Sequence, residues 1–231
     1  MAALGAGFAD GPTVLLDYAA RLGGCLLAGG PAAYGEDSVA LQARFGLPAT
    51  VDLRLLTTAL RLVPGTGGAP HALLVRGPDG PATIYAERIL LACGGIETTR
   101  EHAMLPGSRP SGVCTPALVH GLLDRGWLPG QRAFVYGHGH LAVATAARLL
   151  EAGVQVTLGS PFPPVGVLPA GIEHLGEVTP LETLGWARLT AVRVRQGGTI
   201  RELPADLLVY AMGQEANSGW LAGPSHRSPL R

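Results

Sequence analysis

Between Arg132 and Gly159 the chain reads RAFVYGHGHLAVATAARLLEAGVQVTLG, and no other stretch restricts the fold so tightly. A short apolar run, Ala133–Tyr136, leads directly into Gly137-x-Gly139-x-x-Ala142. An Ala- and Leu-rich helical pattern continues to Ala152, Gly153 stops it, and a second apolar run covers Val154–Leu158. The order predicts strand, helix, strand, the setting in which a glycine fingerprint has meaning. There Gly137 permits the tight turn, Gly139 lets the backbone approach a phosphate, and Ala142 lets the helix lie close on the strand. Unpaired N–H groups at the helix start, with the helix dipole behind them, would receive the phosphate charge. His138 and His140 flank Gly139 and read either as turn residues or as phosphate contacts. As an HxH pair they lack the Cys or carboxylate companions of a metal centre, so no metal site is expected.

Such a unit is one half of a Rossmann-type dinucleotide-binding fold, and the expected fold class is α/β. One detail departs from a simple dehydrogenase pattern. An NAD site places Asp or Glu roughly 20 residues past the glycines, and an NADP site an Arg nearby. Here the second run ends at Gly159-Ser160-Pro161, with neither. A nucleotide held without that carboxylate and a site emptied of nucleotide both remain open.

Composition sets the outer limits. At 231 residues, 47% of them apolar and 15% charged, the chain has enough material for a real core in one or two domains. The 34 Gly and 19 Pro make it turn-rich. Net charge is zero and no basic stripe or aromatic platform appears, so nucleic acid is not an expected partner. All 17 cations are Arg, which excludes Schiff-base chemistry and a P-loop lysine. No apolar run is long enough to span a bilayer, and MAALGAGFADG lacks the basic and apolar regions of a signal peptide. Cys25, Cys93 and Cys114 are widely spaced with no CxxC pair, which points to a reducing, cytoplasmic setting. Low charge also suggests surface reserved for a partner subunit.

Along the rest of the chain, Thr13–Asp17 reads as a strand closing on a carboxylate, and Ser38–Phe45 as a weak helix. Strand-like pieces follow at Thr50–Leu53, Ala59–Val63, Ala72–Val75 and Thr83–Tyr85, punctuated by Pro64-Gly65 and Pro78-Asp79-Gly80. Arg88–Cys93 (RILLAC) is a continuous apolar run, as expected of a buried strand, with Cys93 as a small buried hydrophobe. Glu97, Arg100 and Glu101 read as a solvated charge cluster. Pro116–Asp124 is a short helix, and Ile172–His174, Leu189–Arg195, Thr199–Leu203 and Asp206–Met212 are further strands. No G-x-S-x-G elbow occurs, so hydrolase chemistry has no support, and no catalytic base is assigned.

The series TVLLD…GG, ERILLACGG, LPG…GVCT, GHGHLA and ADLLVYAMGQEANSGWL, over residues 13–222, resembles a known family. It is similar to the flavoproteins with two dinucleotide-binding domains, the pyridine nucleotide-disulfide oxidoreductase superfamily. Within that superfamily it looks most like the large subunits of opine-, proline- and sarcosine-oxidising complexes and of hydrogen cyanide synthase. The resemblance implies a reduced FAD-type outer domain over residues 1–106 and 204–231, with an inserted NAD(P)-type Rossmann domain over 107–203. It implies FAD, and NAD(P) or another adenine nucleotide, as cofactors. A small-molecule substrate and another subunit of a flavoenzyme complex are the implied partners. Asp17 matches the acid that takes the FAD ribose, and Cys93-Gly94-Gly95 the turn that leaves the FAD domain. Gly137, Gly139 and Ala142, with His140 beside them, match the second fingerprint; Asp206, Gly213 and Asn217 match the return strand.

Three departures accompany the match. Leu4-Gly5-Ala6-Gly7 imitates an FAD fingerprint, but only about nine residues separate Gly7 from Asp17, too few for a crossover helix and second strand. The chain stops soon after Trp220, before the segment that closes over the flavin in this family. The cysteine pair of the disulfide reductases is missing. The expectation is a family member trimmed at both ends: an oxidoreductase related to amine and amino-acid dehydrogenases, or alternatively a non-catalytic nucleotide-binding or partner subunit.

Overall fold

The computed structural model describes residues 11–20, 22–24 and 50–217. The Leu4–Gly7 glycines, Cys25, the helix expected over Ser38–Phe45 and Trp220 lie outside the described residues. The described chain forms two compact units, one from 11–20, 22–24, 50–95 and 216–217, the other from 96–215.

The second unit is built on a five-stranded sheet in the order β10-β9-β8-β14-β7, all neighbours parallel. Its strands are β7 (Val113–Cys114), β8 (Arg132–Tyr136), β9 (Gln155–Gly159), β10 (Glu173–Leu175) and β14 (Leu207–Tyr210). Helices α1 (Pro116–Leu123) and α2 (His140–Glu151) cover one face. There Ala133 and Val135 of β8 and Val156 and Leu158 of β9 pack against Val119, Ala142, Ala146 and Leu149. The opposite face carries Phe134, Tyr136 and Leu208, which meet Val178, Val192 and Val194. These last come from an antiparallel sheet of three strands, β11 (Val178–Leu184), β12 (Ala191–Gln196) and β13 (Thr199–Pro204). Strands covered on both faces have no polar side to show, which is why AFVY and LLVY read as unbroken apolar runs.

The boundaries expected at 107 and 203 fall inside this unit. β14 sits between β8 and β7 in its sheet, so residues 204–215 belong to it. Arg100, expected in a solvated cluster, is 7% exposed. Its guanidinium donates to the carbonyls of Leu105 and Ser108 and to the Thr183 hydroxyl, each at 3.0 Å, tying residues 99–108 to β11. Glu97 is committed as well: its carboxylate accepts from the Ala117 N–H at 3.0 Å and caps α1, whose N-cap Thr115 supplies no side-chain bond.

In the first unit, β1 (Thr13–Leu16) pairs in parallel with β2 (Val51–Arg54). A separate antiparallel meander joins β3 (Thr58–Val63), β4 (His71–Gly77) and β5 (Gly80–Ala86). The β4–β5 register pairs Gly77 with Gly80, leaving Pro78-Asp79 as the turn that the sequence marks. The expectation for Arg88–Cys93 is corrected here. The segment forms no strand, Leu90 is 55% and Leu91 39% exposed, and Cys93 is exposed. An apolar run becomes a buried strand only where neighbours pair with it and cover it, and the described residues pair none with this one. Strands β6 (Gly95–Glu97) and β15 (Gln214–Ala216) then form a two-stranded sheet, and the chain passes from one unit to the other within this pair.

Candidate functional site

β8, the glycine turn, α2 and β9 form the expected strand–helix–strand unit, with Arg132 opposite Gln155 and Tyr136 opposite Gly159. A Cβ on Gly137 would lie 2.3 Å from the Ala211 carbonyl oxygen and 2.9 Å from the Ala142 Cβ, so only glycine fits between β14 and α2. Ala142 is fully buried beneath it. Gly139 is different: its φ of −75° suits any residue, and a Cβ there would meet nothing within 4 Å. Its bareness therefore opens space at the start of α2 and does not serve the fold. No side chain caps that helix start and no acidic residue lies in its first turn. At an uncapped helix start the free N–H groups and the positive end of the dipole favour negative charge. Gly137, Gly139, His140 and Ala142 are thus brought together, with the His140 side chain exposed. His138 is partly buried, and its Nδ1 is a buried atom with no hydrogen-bond partner.

The sheet order places β9 on one side of β8 and β14 on the other. The crevice beyond their carboxyl ends is where open α/β sheets bind ligands. Ser160, at the end of β9 where an NAD site carries its acid, is fully buried, and its hydroxyl is bonded within a turn to Phe162. Tyr136 and Tyr210 pair across the ends of β8 and β14, ring centroids 5.5 Å apart, and burial raises both phenol pKa values.

The remaining candidates lie outside the strand–helix–strand motif in sequence. Asp17 follows β1, and one of its carboxylate oxygens accepts from the Ala19 N–H at 2.9 Å. Gly94 has φ of 66° with open space where a Cβ would stand, and its carbonyl accepts from the Asn217 N–H at 3.0 Å. Gly95 opens β6. Gly213, φ 131°, accepts from the Thr98 N–H at 3.0 Å. Asp206 accepts from the N–H groups of Gln131 and Arg132 at 2.9 and 2.8 Å, a structural role at the start of β8. Among the described residues no group of three or more His, Cys, Asp or Glu is arranged to hold a metal, and no helix is long and apolar enough to cross a membrane.

Sequence reasoning missed one polar cluster behind α2. His120 is 1% exposed; its Nδ1 accepts from Arg148 at 2.7 Å and its Nε2 lies 2.9 Å from the Thr145 hydroxyl. Thr145 donates onward to the Leu141 carbonyl, so Nε2 carries the imidazole proton. Burial, and then the Arg148 charge, lower the His120 pKa to about 4. The only signal in the sequence was a histidine among the apolar positions of a short helix.

The parallel sheet and its helices define a Rossmann-like α/β fold. No family model matches the chain, and no curated relative matches its sequence. Solved structures do. L-proline dehydrogenase from P. horikoshii is 19% identical with a TM-score of 0.62, covering 90% of this chain and 38% of its own length. Thioredoxin reductase of T. acidophilum is 16% identical, TM-score 0.62, covering 90% and 70%. The ornithine N-hydroxylase of Kutzneria sp. 744, solved with reduced FAD, NADP+ and L-ornithine, is 14% identical, TM-score 0.57, covering 81% and 60%. At such identities the likeness is one of fold, and the chain spans well under half the length of the proline dehydrogenase.

Proposed function

We propose that the chain is an FAD/NAD(P)-dependent oxidoreductase, or a subunit of one, of the class that dehydrogenates amines and amino acids. The observation that carries this reading is the turn at Gly137–Ala142: an uncapped helix start, an open position at Gly139 and a glycine that admits no side chain at 137. Those residues fit the diphosphate of NAD(P) or another adenine nucleotide. Asp17, Gly94 and Gly95, all in the first unit, are the candidates for FAD, and the open space at Gly94 suits close approach of a ligand to backbone; Gly213, in the second unit, is a separate cofactor candidate with the same open space. A bound flavin would supply the hydride acceptor; this chain's part is to bind, orient and exclude water. The named activities of the fold neighbours support the class, and the proline dehydrogenase agrees with the amine and amino-acid branch. A cytoplasmic setting belongs to the same reading.

A second reading, a non-catalytic partner subunit of a flavoenzyme complex, is favoured by the apolar segment that pairs with none of the described residues and leaves Leu90 and Leu91 exposed. Patches of this kind mark contact surfaces. The visible absorption spectrum of the purified chain, taken after adding FAD and removing the excess, separates the two. A retained flavin band supports the oxidoreductase; a colourless folded protein leaves the partner subunit.

A further inference from the structure

After β9 the chain does not leave the glycine turn but comes back to it. Ser160 is anchored at the start of this return, its N–H donating to the Leu175 carbonyl and its own carbonyl accepting from Val178. The next residues are Pro161, Phe162, Pro163, Pro164 and Val165. Three of these five are proline, which locks φ and removes the N–H. Only two backbone donors are left in the segment, and both are engaged: Phe162 N–H with the Ser160 hydroxyl, Val165 N–H with the His138 carbonyl at 2.7 Å. The Phe162 ring stands edge-on to the His138 imidazole, centroids 5.2 Å apart and planes at 68°. Gly166 follows at φ 90° with open space around it, a swivel at the far end.

In a Rossmann site the adenosine ribose lies between the glycine turn and the end of the second strand. Residues 161–165 bridge those two points. We propose that this segment is a stiff strap closing the adenosine-ribose side of the site, and that a dinucleotide enters by releasing Val165 and Phe162 from His138. The buried Nδ1 of His138 supports this, since an unpaired buried polar atom is a penalty that the closed arrangement bears and release relieves. The phosphate end, at Gly139 and the start of α2, lies outside the strap's contacts. The inference rests on reading the glycine turn as a nucleotide site.

The test is calorimetric titration of the full chain with ADP-ribose and, separately, inorganic pyrophosphate, in wild type, Val165→Pro and Phe162→Ala. Val165→Pro removes the donor to His138, and Phe162→Ala removes the ring. The expected result is five- to tenfold tighter ADP-ribose binding in each variant with pyrophosphate affinity unchanged. Equal or weaker ADP-ribose binding, with pyrophosphate still bound, overturns the strap and leaves the site. Absence of binding by either probe in all three proteins overturns the site and the strap together. Hydrogen exchange on the wild type guards against a misfolded variant: the Val165 amide should lose protection when ADP-ribose saturates the protein, and retained protection counts against the strap.

Discussion

The guanidinium of Arg100 donates to the hydroxyl of Thr183 at 3.0 Å, across 83 positions of sequence and with both side chains buried. Thr183 donates its own hydroxyl hydrogen to the Ser108 carbonyl at 2.7 Å, so residues 99–108 and β11 share one knot. Buried carbonyls that lose a charged donor keep their desolvation penalty. Arg100→Leu should therefore lower the stability of the second unit by about 3 kcal/mol, and Thr183→Val by about 1 kcal/mol. Urea unfolding of both variants and the double variant reads this. Additive losses would mean that the pair is not coupled.

The two glycines of the turn should separate fold from ligand. Gly137→Ala drives a methyl into the Ala211 carbonyl and should destabilise by about 1–3 kcal/mol, as overpacking does. Gly139→Ala meets nothing and should leave stability within about 0.5 kcal/mol. It should nevertheless weaken pyrophosphate binding roughly tenfold, about 1.4 kcal/mol, by filling the open approach. Thermal melting and titration calorimetry on the same preparations check both, and a Gly139→Ala protein that binds normally would remove that position from the site.

His120 gives the second unit an acid sensitivity with a defined window. Its folded pKa of about 4 lies below the ordinary histidine value of 6.5, so between those values the unfolded chain binds more protons than the folded one. Stability is untouched above pH 6.5 and falls as pH drops towards 4, by about 3 kcal/mol in all. His120→Gln should be less stable at neutral pH yet flatter across that window. Denaturation midpoints from pH 7 to 4 decide it; parallel slopes in the two proteins would exclude His120 as the source.

How far the sequence reveals this molecule depends on the range of the interactions involved. The glycine unit is legible because its constraints are local: Gly137 must clear Ala142, five residues further on in the same motif, and Gly153 ends the helix beside it. The β3–β5 meander is legible for the same reason, its turns being written in Pro64-Gly65 and Pro78-Asp79. Three features were not. Val178–Leu184, which carries Pro180 and Glu182, falls outside every strand expected from the sequence; in the sheet the register shifts between these two residues and absorbs the proline. Arg100 looks like a surface charge because its carbonyl partners are set by tertiary folding. Leu90 and Leu91 look buried because hydrophobicity states what a residue prefers and not which strands stand beside it. Of the site, the turn was readable, whereas the strap's return to His138 and the buried His120 were not.

The position of β14 between β8 and β7 has a consequence for biosynthesis. β8 leaves the ribosome with its β14 edge vacant, and about 70 residues must follow before Leu207–Tyr210 can fill it, several seconds at ordinary elongation rates. During that interval β8 exposes an unpaired edge and apolar faces, which is the condition in which nascent chains associate with chaperones or with one another.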